Sequence, residues 1–158
     1  MNIHIRKAEA SDVPAISTLL REVSLFAHIN DELEEATQER VHKHLTLCLS
    51  DDSHLILVAQ AENGEVAGYC AVHWLPYLLL TGPEGYVSEL FIWDEFRGQG
   101  IGGQLLDAVK VEAEKRGCSR LMLLNMRKRD SYQRGFYPKH GWEERPDAAN
   151  FIFPLNAP

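Results

Sequence analysis

The spacing of hydrophobic residues alternates along the chain between a period of two and a period near 3.6, which predicts strands alternating with helices. Ile3 and Ile5 alternate with polar neighbours and indicate a short strand. Ser11 or Asp12 is suited to cap the helix that follows, because a short polar side chain accepts hydrogen bonds from the first free N–H groups. The hydrophobic residues at helical spacing are Ile16, Leu19, Leu20 and Val23.

A second helix and a hairpin follow in the pattern. The helix is predicted from about Asp31 to Leu49, and its inward-facing residues are expected to be Leu33, Val41, Leu45 and Leu49. The segment from His54 to Gln60 predicts a strand, and Val66 to Trp74 predicts its return. Asn63-Gly64 between them is a strong signal for a tight hairpin turn.

The second half predicts a parallel strand–helix–strand unit. Tyr86 to Trp93 indicates a strand and Ile101 to Arg116 a helix. Arg120 to Asn125 is apolar enough to predict a strand that is buried on both faces. Such a unit forms a right-handed crossover, and the element order is that of an α/β sandwich with a mixed sheet.

The end of the chain predicts a short helix and two closing strands. Asp130 or Ser131 is expected to cap the helix, and Gly141 to end it. The strands are expected near Trp142–Glu144 and Asn150–Leu155.

Composition narrows the classes of function. The 158 residues fit one domain, residues 1–158, and a net charge of −7 argues against nucleic acid and anionic membranes as partners. The three cysteines are odd in number and have no Cys-x-x-Cys pair, which favours reduced thiols in a cytoplasmic protein and no metal site. The first residues lack an apolar signal region, and no apolar run reaches the length of a membrane span.

Four of the eleven glycines lie where the helix near Ile101 should begin: Gly98, Gly100, Gly102 and Gly103. The first N–H groups of a helix lack partners within it, and together with the helix dipole they form an anion site. Glycines leave a phosphate room to reach those groups, and Arg97 and Gln99 add a positive charge and an amide donor. The pattern favours a phosphate or diphosphate at this turn over a flexible turn without a ligand.

Two common phosphate motifs fit this segment poorly. A Walker loop needs Gly-Lys-[Ser/Thr], whereas Gly102-Gly103-Gln104 stands here. The spacing Gly98-x-Gly100-x-x-Gly103 matches a dinucleotide fingerprint formally, but it lies late in the chain. In addition, the next predicted strand ends at Asn125 and not at an acidic residue.

Two segments resemble the GNAT superfamily of acetyl-coenzyme-A-dependent N-acetyltransferases. The family signature [Arg/Gln]-x-x-Gly-x-[Gly/Ala] after an apolar strand has its counterpart in Arg97-Gly98-Gln99-Gly100-Ile101-Gly102. The family's later short helix, with Phe-Tyr and a closing Gly-aromatic pair, has its counterpart in Phe136 to Trp142 (FYPKHGW). Asp130 and Gln133 depart from the Asn and Ala that such families often carry there.

The resemblance implies a fold and a set of binding residues. The fold is a mixed, mostly antiparallel central sheet with a parallel strand–helix–strand unit, flanked by about four helices. The co-substrate is acetyl-CoA, whose diphosphate would lie on the backbone of Arg97, Gly98, Gln99, Gly100, Ile101, Gly102 and Gly103. Its pantetheine arm would run beside Leu90, Phe91 and Ile92, where a backbone N–H would polarise the thioester carbonyl.

Acetyl transfer to an amine also needs a base and benefits from an acid. An alkylammonium has a pKa of about 10.4 and must lose a proton before it attacks. Glu89 is the candidate base, directly or through water, and an edge-facing solvated or ion-paired glutamate is an equally good interpretation. Tyr137 takes the place of the family's general acid near the coenzyme sulfur, and packing of its helix is the alternative. His73 is a less favoured base.

The leading hypothesis is therefore an enzyme that acetylates a primary amine of a small molecule or an exposed protein amine. The alternative is a non-catalytic acyl-CoA-binding regulatory module, and a third possibility is a nucleotide-binding protein of another fold. The acidic residues of the second helix can attract a cationic acceptor, although a solvated helix face explains them better: Asp31, Glu32, Glu34, Glu35 and Glu39. The identity of the acceptor and a homodimeric assembly stay open.

Overall fold

The computed structural model describes residues 2–23 and 27–155, with residue 27 as backbone only. The chain divides into two compact units, one ending at Leu123 and the other beginning at Leu124. A single domain over residues 1–158 stays a prediction.

Five strands of the first unit form one sheet in the order β1-β2-β3-β4-β5. The strands are β1 (Ile3–Lys7), β2 (His54–Ala61), β3 (Val66–Leu75), β4 (Glu84–Ile92) and β5 (Arg120–Leu123). Neighbouring strands pair antiparallel except β4 and β5, which pair parallel through the helix between them. This mixed, mostly antiparallel sheet confirms the predicted fold class.

Six α-helices occur within the described residues. They are α1 (Val13–Val23), α2 (Ala27–Asp31), α3 (Glu34–Leu49), α4 (Ile101–Lys115), α5 (Asp130–Gln133) and α6 (Phe136–Lys139). Short 3-10 turns precede α1 and follow β4, at Ala10–Asp12 and Asp94–Phe96. Every helix in this part of the chain is too short or too polar to span a bilayer.

The two faces of the sheet carry different partners. The hydrophobic core on one face joins α1 and α3 to alternate strand residues: Ile16, Leu19, Val41, Leu45, Ile56, Val58, Tyr69, Ala71 and Phe91. Since successive strand residues point to opposite faces, Cys70 and Val72 point away from this cluster. α4 contacts the strands with a buried apolar side that includes Leu105, Leu106 and Val109, none of which belongs to the first cluster.

β4 is paired unequally on its two edges. It pairs with β3 along its length, but with β5 only from Glu84 to Val87. At the start of the parallel pairing, the fully buried carboxylate of Glu84 accepts a hydrogen bond from Nε of Arg120, its register partner. From Ser88 onward, the edge of β4 that faces away from β3 has no strand partner in the described residues.

A β-bulge lies at the point where β5 stops pairing. Ala71 pairs with Glu89 but Val72 pairs with Val87, so Ser88 is an extra residue in β4. A bulge of this kind shifts the alternation of side chains along its strand. Ser88 contacts His73, and Glu89 contacts Tyr69, so both side chains meet β3 residues of the same alternating set.

The predicted second helix differs from α3 at its ends. Val41 and Leu45 are buried as expected, but Leu33 and Leu49 are 76% and 44% exposed. Leu33 is the N-cap and has an extended backbone, which puts its side chain outside the helical periodicity. Leu49 is the last helical residue, one turn beyond the buried Leu45.

The C-terminal predictions are partly wrong. The helix predicted between residues 130 and 141 is two four-residue helices, separated where Gly135 takes φ 64°. Asp130 pairs with Arg134, and the N-cap of α5 is Arg129. The predicted closing strands are not formed within the described residues, since 142–155 contain neither strand nor helix. β5 ends at Leu123 and is only partly buried, because it lies at an edge of the sheet.

A partly buried ion pair stabilises the entry to α1. Nη1 and Nη2 of Arg6 donate to the Asp12 carboxylate at 2.8 Å, and the Glu9 N–H donates to the same group at 2.8 Å. The predicted cap at Ser11 or Asp12 is wrong in position: Glu9 is the N-cap, and Asp12 is the third residue of the 3-10 turn, whose carboxylate accepts from the Glu9 N–H in a capping box. Burial raises the pKa of the Asp12 carboxyl, but the hydrogen bonds from Arg6 and Glu9 and the charge of Arg6 outweigh it and lower the pKa below its usual value.

We expect Asp12→Asn to lower the free energy of unfolding by about 2–3 kcal/mol at pH 7, because Arg6 is left beside a neutral group in a largely buried site. The difference in free energy of unfolding between the wild type and the variant is fully present above the pKa of about 4 that Asp12 has in the unfolded state. It shrinks as pH falls through the lowered pKa of Asp12 in the folded state. Urea unfolding of both proteins at pH 7 and pH 3 measures this. The control is Asp107→Asn, which breaks an exposed pair with Lys110 and should cost less than about 0.5 kcal/mol at either pH. An equal loss in the two variants contradicts the assignment.

Candidate active site

The glycine-rich turn leads directly from β4 into α4. Gly98 and Gly100 have φ 76° and 77°, a backbone conformation that favours glycine over every residue with a side chain. Gly100 is the N-cap of α4, and no side chain caps that end of the helix. The helix begins at Ile101, as predicted. Its first N–H groups are therefore available to an anion, and the helix dipole favours one.

The space around this turn is open. A Cβ placed on Gly98 or Gly100 would meet no atom within 4 Å. Arg97 lies at the rim, where Nη1 pairs with Asp94 at 2.7 Å and Nε donates to the Ile92 carbonyl at 3.2 Å. The amide of Gln99 donates to the Glu95 carbonyl at 3.2 Å. The cleared backbone and the positive rim fit a diphosphate, whereas the side-chain donors already have partners within the turn.

One edge of the strand before the turn has no strand partner in the part of the chain that the structure describes. Leu90, Phe91 and Ile92 lie in the part of β4 that β5 does not pair with. The side chain of Phe91 is buried in the core with Tyr69, at a ring distance of 5.8 Å, so only its backbone faces this edge. Leu90 and Ile92 are half-buried. An extended chain with amide groups, such as a pantetheine arm, fits an edge of this kind as an added strand.

Glu89 lies on the α1–α3 face of the sheet and has a buried partner. The hydroxyl of Tyr69, a residue 2% exposed, donates to Oε2 of Glu89 at 2.5 Å. Burial and the neighbouring Glu89 charge raise the pKa of Tyr69 well above its usual range, so the phenol stays protonated and keeps donating. This explains how a carboxylate is accommodated in an apolar strand: it is hydrogen-bonded and half-buried.

Two histidines lie beside the bulge. Nε2 of His73 is 2.7 Å from the Ser88 hydroxyl, and the His54 ring meets the His73 ring edge-on at 4.8 Å. Burial lowers the pKa of His73, and the charge of His54 lowers it further. A neutral imidazole is able to accept a proton, so His73 remains a second basic group on the strand next to Glu89.

The acidic helix face is partly engaged within the protein. Glu32 accepts hydrogen bonds from Arg40 at 2.5 and 2.6 Å and from Thr37 at 2.8 Å. The hydrogen bond from Arg40 lowers the pKa of Glu32 to about 2. The Glu32 side chain thus holds the residue that follows α2 against α3, while Glu34, Glu35 and Glu39 are exposed.

The end of β3 is packed, whereas the loop that follows it is exposed. Trp74 is buried, and the Arg116 guanidinium lies over its ring, 4.9 Å from the ring centroid. Leu78 and Leu79 are exposed and Tyr77 partly so, and none of them belongs to the core.

Tyr137 belongs to the second unit. It is the second residue of α6, it is half-buried, and its ring meets those of Phe136 and Trp142 edge-on at 5.0 and 6.2 Å. The backbone N–H of Trp142 donates to the Tyr137 carbonyl at 3.1 Å, just beyond the end of α6. The two departures from the family pattern nearby also have partners, Asp130 with Arg134 and Gln133 with the Arg127 carbonyl.

Sequence reasoning missed Tyr69 and Ser88. Tyr69 meets Glu89 and Ser88 meets His73 only because β3 pairs with β4. The bulge that sets this register leaves no local signal in the sequence. Within the described residues, no group of three or more His, Cys, Asp or Glu side chains is arranged to hold a metal ion, and the three cysteines are free thiols.

Comparison with known proteins matches the acetyltransferase (GNAT) family model to residues 19–142. That range contains Glu89, the glycine turn and Tyr137. A thialysine N-ε-acetyltransferase from Bos taurus is 31% identical over 144 residues, which cover 83% of this chain and 81% of the relative. An aminoglycoside N(6')-acetyltransferase type 1 from Stenotrophomonas maltophilia is 28% identical over 155 residues, 96% of this chain and 93% of the relative.

A solved structure gives the same result for the fold. A transcriptional regulator from Bacillus halodurans C-125 superimposes with a TM-score of 0.83 at 22% identity, covering 96% of this chain and 100% of that one. At this identity the likeness speaks for the fold alone. The family match spans most of the chain and includes the turn into α4, and from it we conclude that this protein belongs to the GNAT family of acetyltransferases and is an N-acetyltransferase.

Proposed function

We propose that this protein transfers the acetyl group of acetyl-CoA to a primary amine of a small molecule or an exposed protein amine. In this proposal the amine attacks the thioester directly, with Glu89 as its base and Tyr137 as the acid. The observation that carries it is the position of Glu89, on the strand whose unpaired edge runs into the uncapped N-terminus of α4.

Acetyl-CoA is bound through main-chain groups in this proposal. The N–H groups from Ile101 to Gly103 hold the diphosphate, and the edge of β4 from Leu90 to Ile92 pairs with the pantetheine arm. A backbone N–H on that edge stabilises the oxyanion that forms when the amine attacks the carbonyl carbon. The open space at Gly98 and Gly100 supports this arrangement.

Glu89 takes the proton that the ammonium of the acceptor must lose. One of its oxygens accepts from Tyr69, which holds the carboxylate in place and leaves Oε1 for the amine or a water. The attack forms the C–N bond, and collapse of the tetrahedral intermediate breaks the C–S bond. Tyr137 gives its phenolic proton to the departing thiolate, and the second proton that the nitrogen loses as the amide forms restores the phenol. The proton taken by Glu89 passes to solvent.

The relatives of this protein favour a small amine as the acceptor. The relatives named above are acetyltransferases of thialysine and of aminoglycosides, and an aminoalkylphosphonate N-acetyltransferase from Salmonella typhimurium is 34% identical over 83 residues. These names support a small cationic amine as the acceptor. The direct experiment measures thiol release from acetyl-CoA with a panel of amines, polyamines, amino acids, aminoglycosides and peptide N-termini. Saturable acetyl-CoA binding without turnover on any of them would indicate the regulatory module instead.

Gly100→Ala tests the turn. Alanine at φ 77° is strained by about 1–2 kcal/mol, and its Cβ enters the space proposed for the diphosphate, so the Kd for CoA should rise at least about tenfold. Gly64→Ala is the matched control, because Gly64 also has positive φ with open space around it, in the β2–β3 hairpin. The control should lose similar stability and keep its CoA affinity in calorimetric titration. Equal affinities for both variants count against the turn as the binding site.

Glu89→Gln tests the base. We expect kcat/KM for the amine to fall about 100-fold or more at pH 7, with acetyl-CoA affinity within threefold of the wild type. The difference in kcat/KM between Glu89→Gln and the wild type should narrow as pH approaches the pKa of the acceptor amine, because more of the amine is then already neutral. Glu65→Gln, in the exposed hairpin, should have no effect. If His73→Gln produces this loss and Glu89→Gln does not, His73 is the base.

Tyr137→Phe tests the acid. Turnover should drop about tenfold or more while acetyl-CoA affinity stays close to normal, since only the phenolic proton is removed. Tyr132→Phe in the neighbouring α5 is the control, because its hydroxyl donates to Glu144 and has no role in the proposed reaction. Single-turnover rates and equilibrium binding separate the two effects. A loss of affinity with unchanged turnover of the bound complex assigns Tyr137 to binding.

A further inference from the structure

A serine and a histidine form a close pair just beyond the part of β4 that pairs with β5. The hydroxyl oxygen of Ser88 lies 2.7 Å from Nε2 of His73. A second, longer contact joins the same oxygen to the carbonyl oxygen of Ala71 at 3.4 Å. A hydroxyl within hydrogen-bond distance of an imidazole is the arrangement that activates a serine as a nucleophile, because the ring takes the hydroxyl proton while the oxygen attacks.

His73 is suited to act as the base of this pair. Burial lowers the pKa of His73 and the charge of His54 lowers it further, so the imidazole is mostly neutral at pH 7. In the tautomer with its proton on Nδ1, the ring accepts the Ser88 hydroxyl proton at Nε2. The register partners of His73 lie on both sides of it, with ring centroids 4.8 Å away at His54 and 6.4 Å away at Tyr86. These neighbours limit the rotation of the ring, which keeps Nε2 close to Ser88.

A second serine–histidine contact in the sheet shows what distinguishes Ser88. The Ser53 hydroxyl is 2.7 Å from Nδ1 of His54, but it also donates to Oδ1 of Asp51 at 2.5 Å. Its proton is therefore engaged by a carboxylate. His54 begins β2, which is two strands away from β4, about 10 Å at the usual strand spacing. Ser53 thus has a histidine neighbour without a place beside the edge of β4, and it serves as an internal control.

Ser88 lies where the proposed function delivers the acetyl group. It is exposed, and it follows Val87, the last residue of β4 that pairs with β5. In the proposed function the pantetheine arm runs along the edge from Ile92 to Leu90, and the thioester lies beside Glu89. Successive strand residues are about 3.3 Å apart, so the backbone of Ser88 is one such step from that point. The Ser88 and Glu89 side chains contact β3 residues of one alternating set, so the hydroxyl lies on the face from which the amine attacks.

We propose that Ser88, with His73 as its base, takes the acetyl group of acetyl-CoA when no amine is bound, and that hydrolysis of this ester makes the protein a slow acetyl-CoA hydrolase. This inference rests on the proposed function for the position of the thioester. An acceptor amine at Glu89 competes for the same carbonyl carbon, so saturating amine suppresses the serine reaction. The ester is a side product and not an intermediate in the acetylation of the amine, which attacks acetyl-CoA directly.

The two steps sum to hydrolysis of a thioester. Oγ of Ser88 attacks the carbonyl carbon while its proton passes to Nε2 of His73. Collapse of the tetrahedral intermediate breaks the C–S bond, and the His73 proton leaves with the thiolate as CoA. A water then attacks the ester with the neutral His73 as base, and the same imidazole returns the proton to the departing Ser88 oxygen. Acetyl-CoA and water give CoA and acetic acid, and both side chains are restored.

Mass spectrometry of the full chain after incubation with acetyl-CoA, without amine, tests this inference. The expected product carries an acetyl group within the chymotryptic peptide of residues 87–91, and alkaline hydroxylamine removes the group because it is an ester. Ser88→Ala should abolish the label and lower amine-independent thiol release at least about tenfold, and His73→Gln should slow labelling about 100-fold. Ser53→Ala is the matched control and should be labelled like the wild type. A label only at other residues, or equal labelling of all variants, overturns the proposal.

The donor 4-nitrophenyl acetate separates a failure of this inference from a failure of the proposed function. This small ester needs no contact at the glycine turn, and the wild type should show a burst of nitrophenolate that leaves the same acetyl group on Ser88. Labelling by both donors supports the proposal. Labelling by neither donor, while amines are acetylated, overturns it and leaves the proposed function in place. Labelling by the nitrophenyl ester alone overturns self-acetylation by acetyl-CoA, and it also counts against the proposed position of the thioester.

Discussion

The unequal pairing of β4 is the constraint on which the candidate site depends. Along one edge β4 is hydrogen-bonded to β3 from Glu84 to Ile92, and along the other it is held by β5 only as far as Val87. The Glu84–Arg120 ion pair fixes the end where the two parallel strands are joined. Because β5 stops there, the last residues of β4, immediately before the glycine turn, have no strand partner on that edge among the described residues. A rigid strand with one exposed edge is a better platform for a bound chain than a loop.

The bulge in β4 determines which side chains lie together beside this edge. By adding Ser88 to β4, it places the side chains of Ser88 and Glu89 against β3 residues of one alternating set, where His73 and Tyr69 are their partners. A regular strand would send the two neighbours to opposite faces. Tyr69 in turn is fixed by burial in the core formed by α1, α3 and the sheet, so the packing of the core determines the orientation of the Glu89 carboxylate.

The parts that the sequence predicted well are those set by local chemistry. The start of α4 at Ile101 and the hairpin turn at Asn63-Gly64 follow from residues within one turn of each position, and the structure has both. The Tyr69–Glu89 hydrogen bond joins residues twenty positions apart through a shifted register, and no local pattern encodes that shift. The closing strands were predicted from composition and spacing alone, and residues 150–155 have no regular secondary structure, because strand pairing depends on residues far away in the sequence.

The ion pair between Arg97 and Asp94 has a consequence for the lifetime of a bound coenzyme. At 2.7 Å, the guanidinium is already neutralised by a carboxylate that belongs to the same turn. A phosphate bound at this turn, as proposed, would compete with that internal counterion, so Arg97 would add less to its binding than an unpaired guanidinium would. When the phosphate left, Asp94 would pair with Arg97 again. Such an exchange of counterions would make release of the product coenzyme easier before the next turnover.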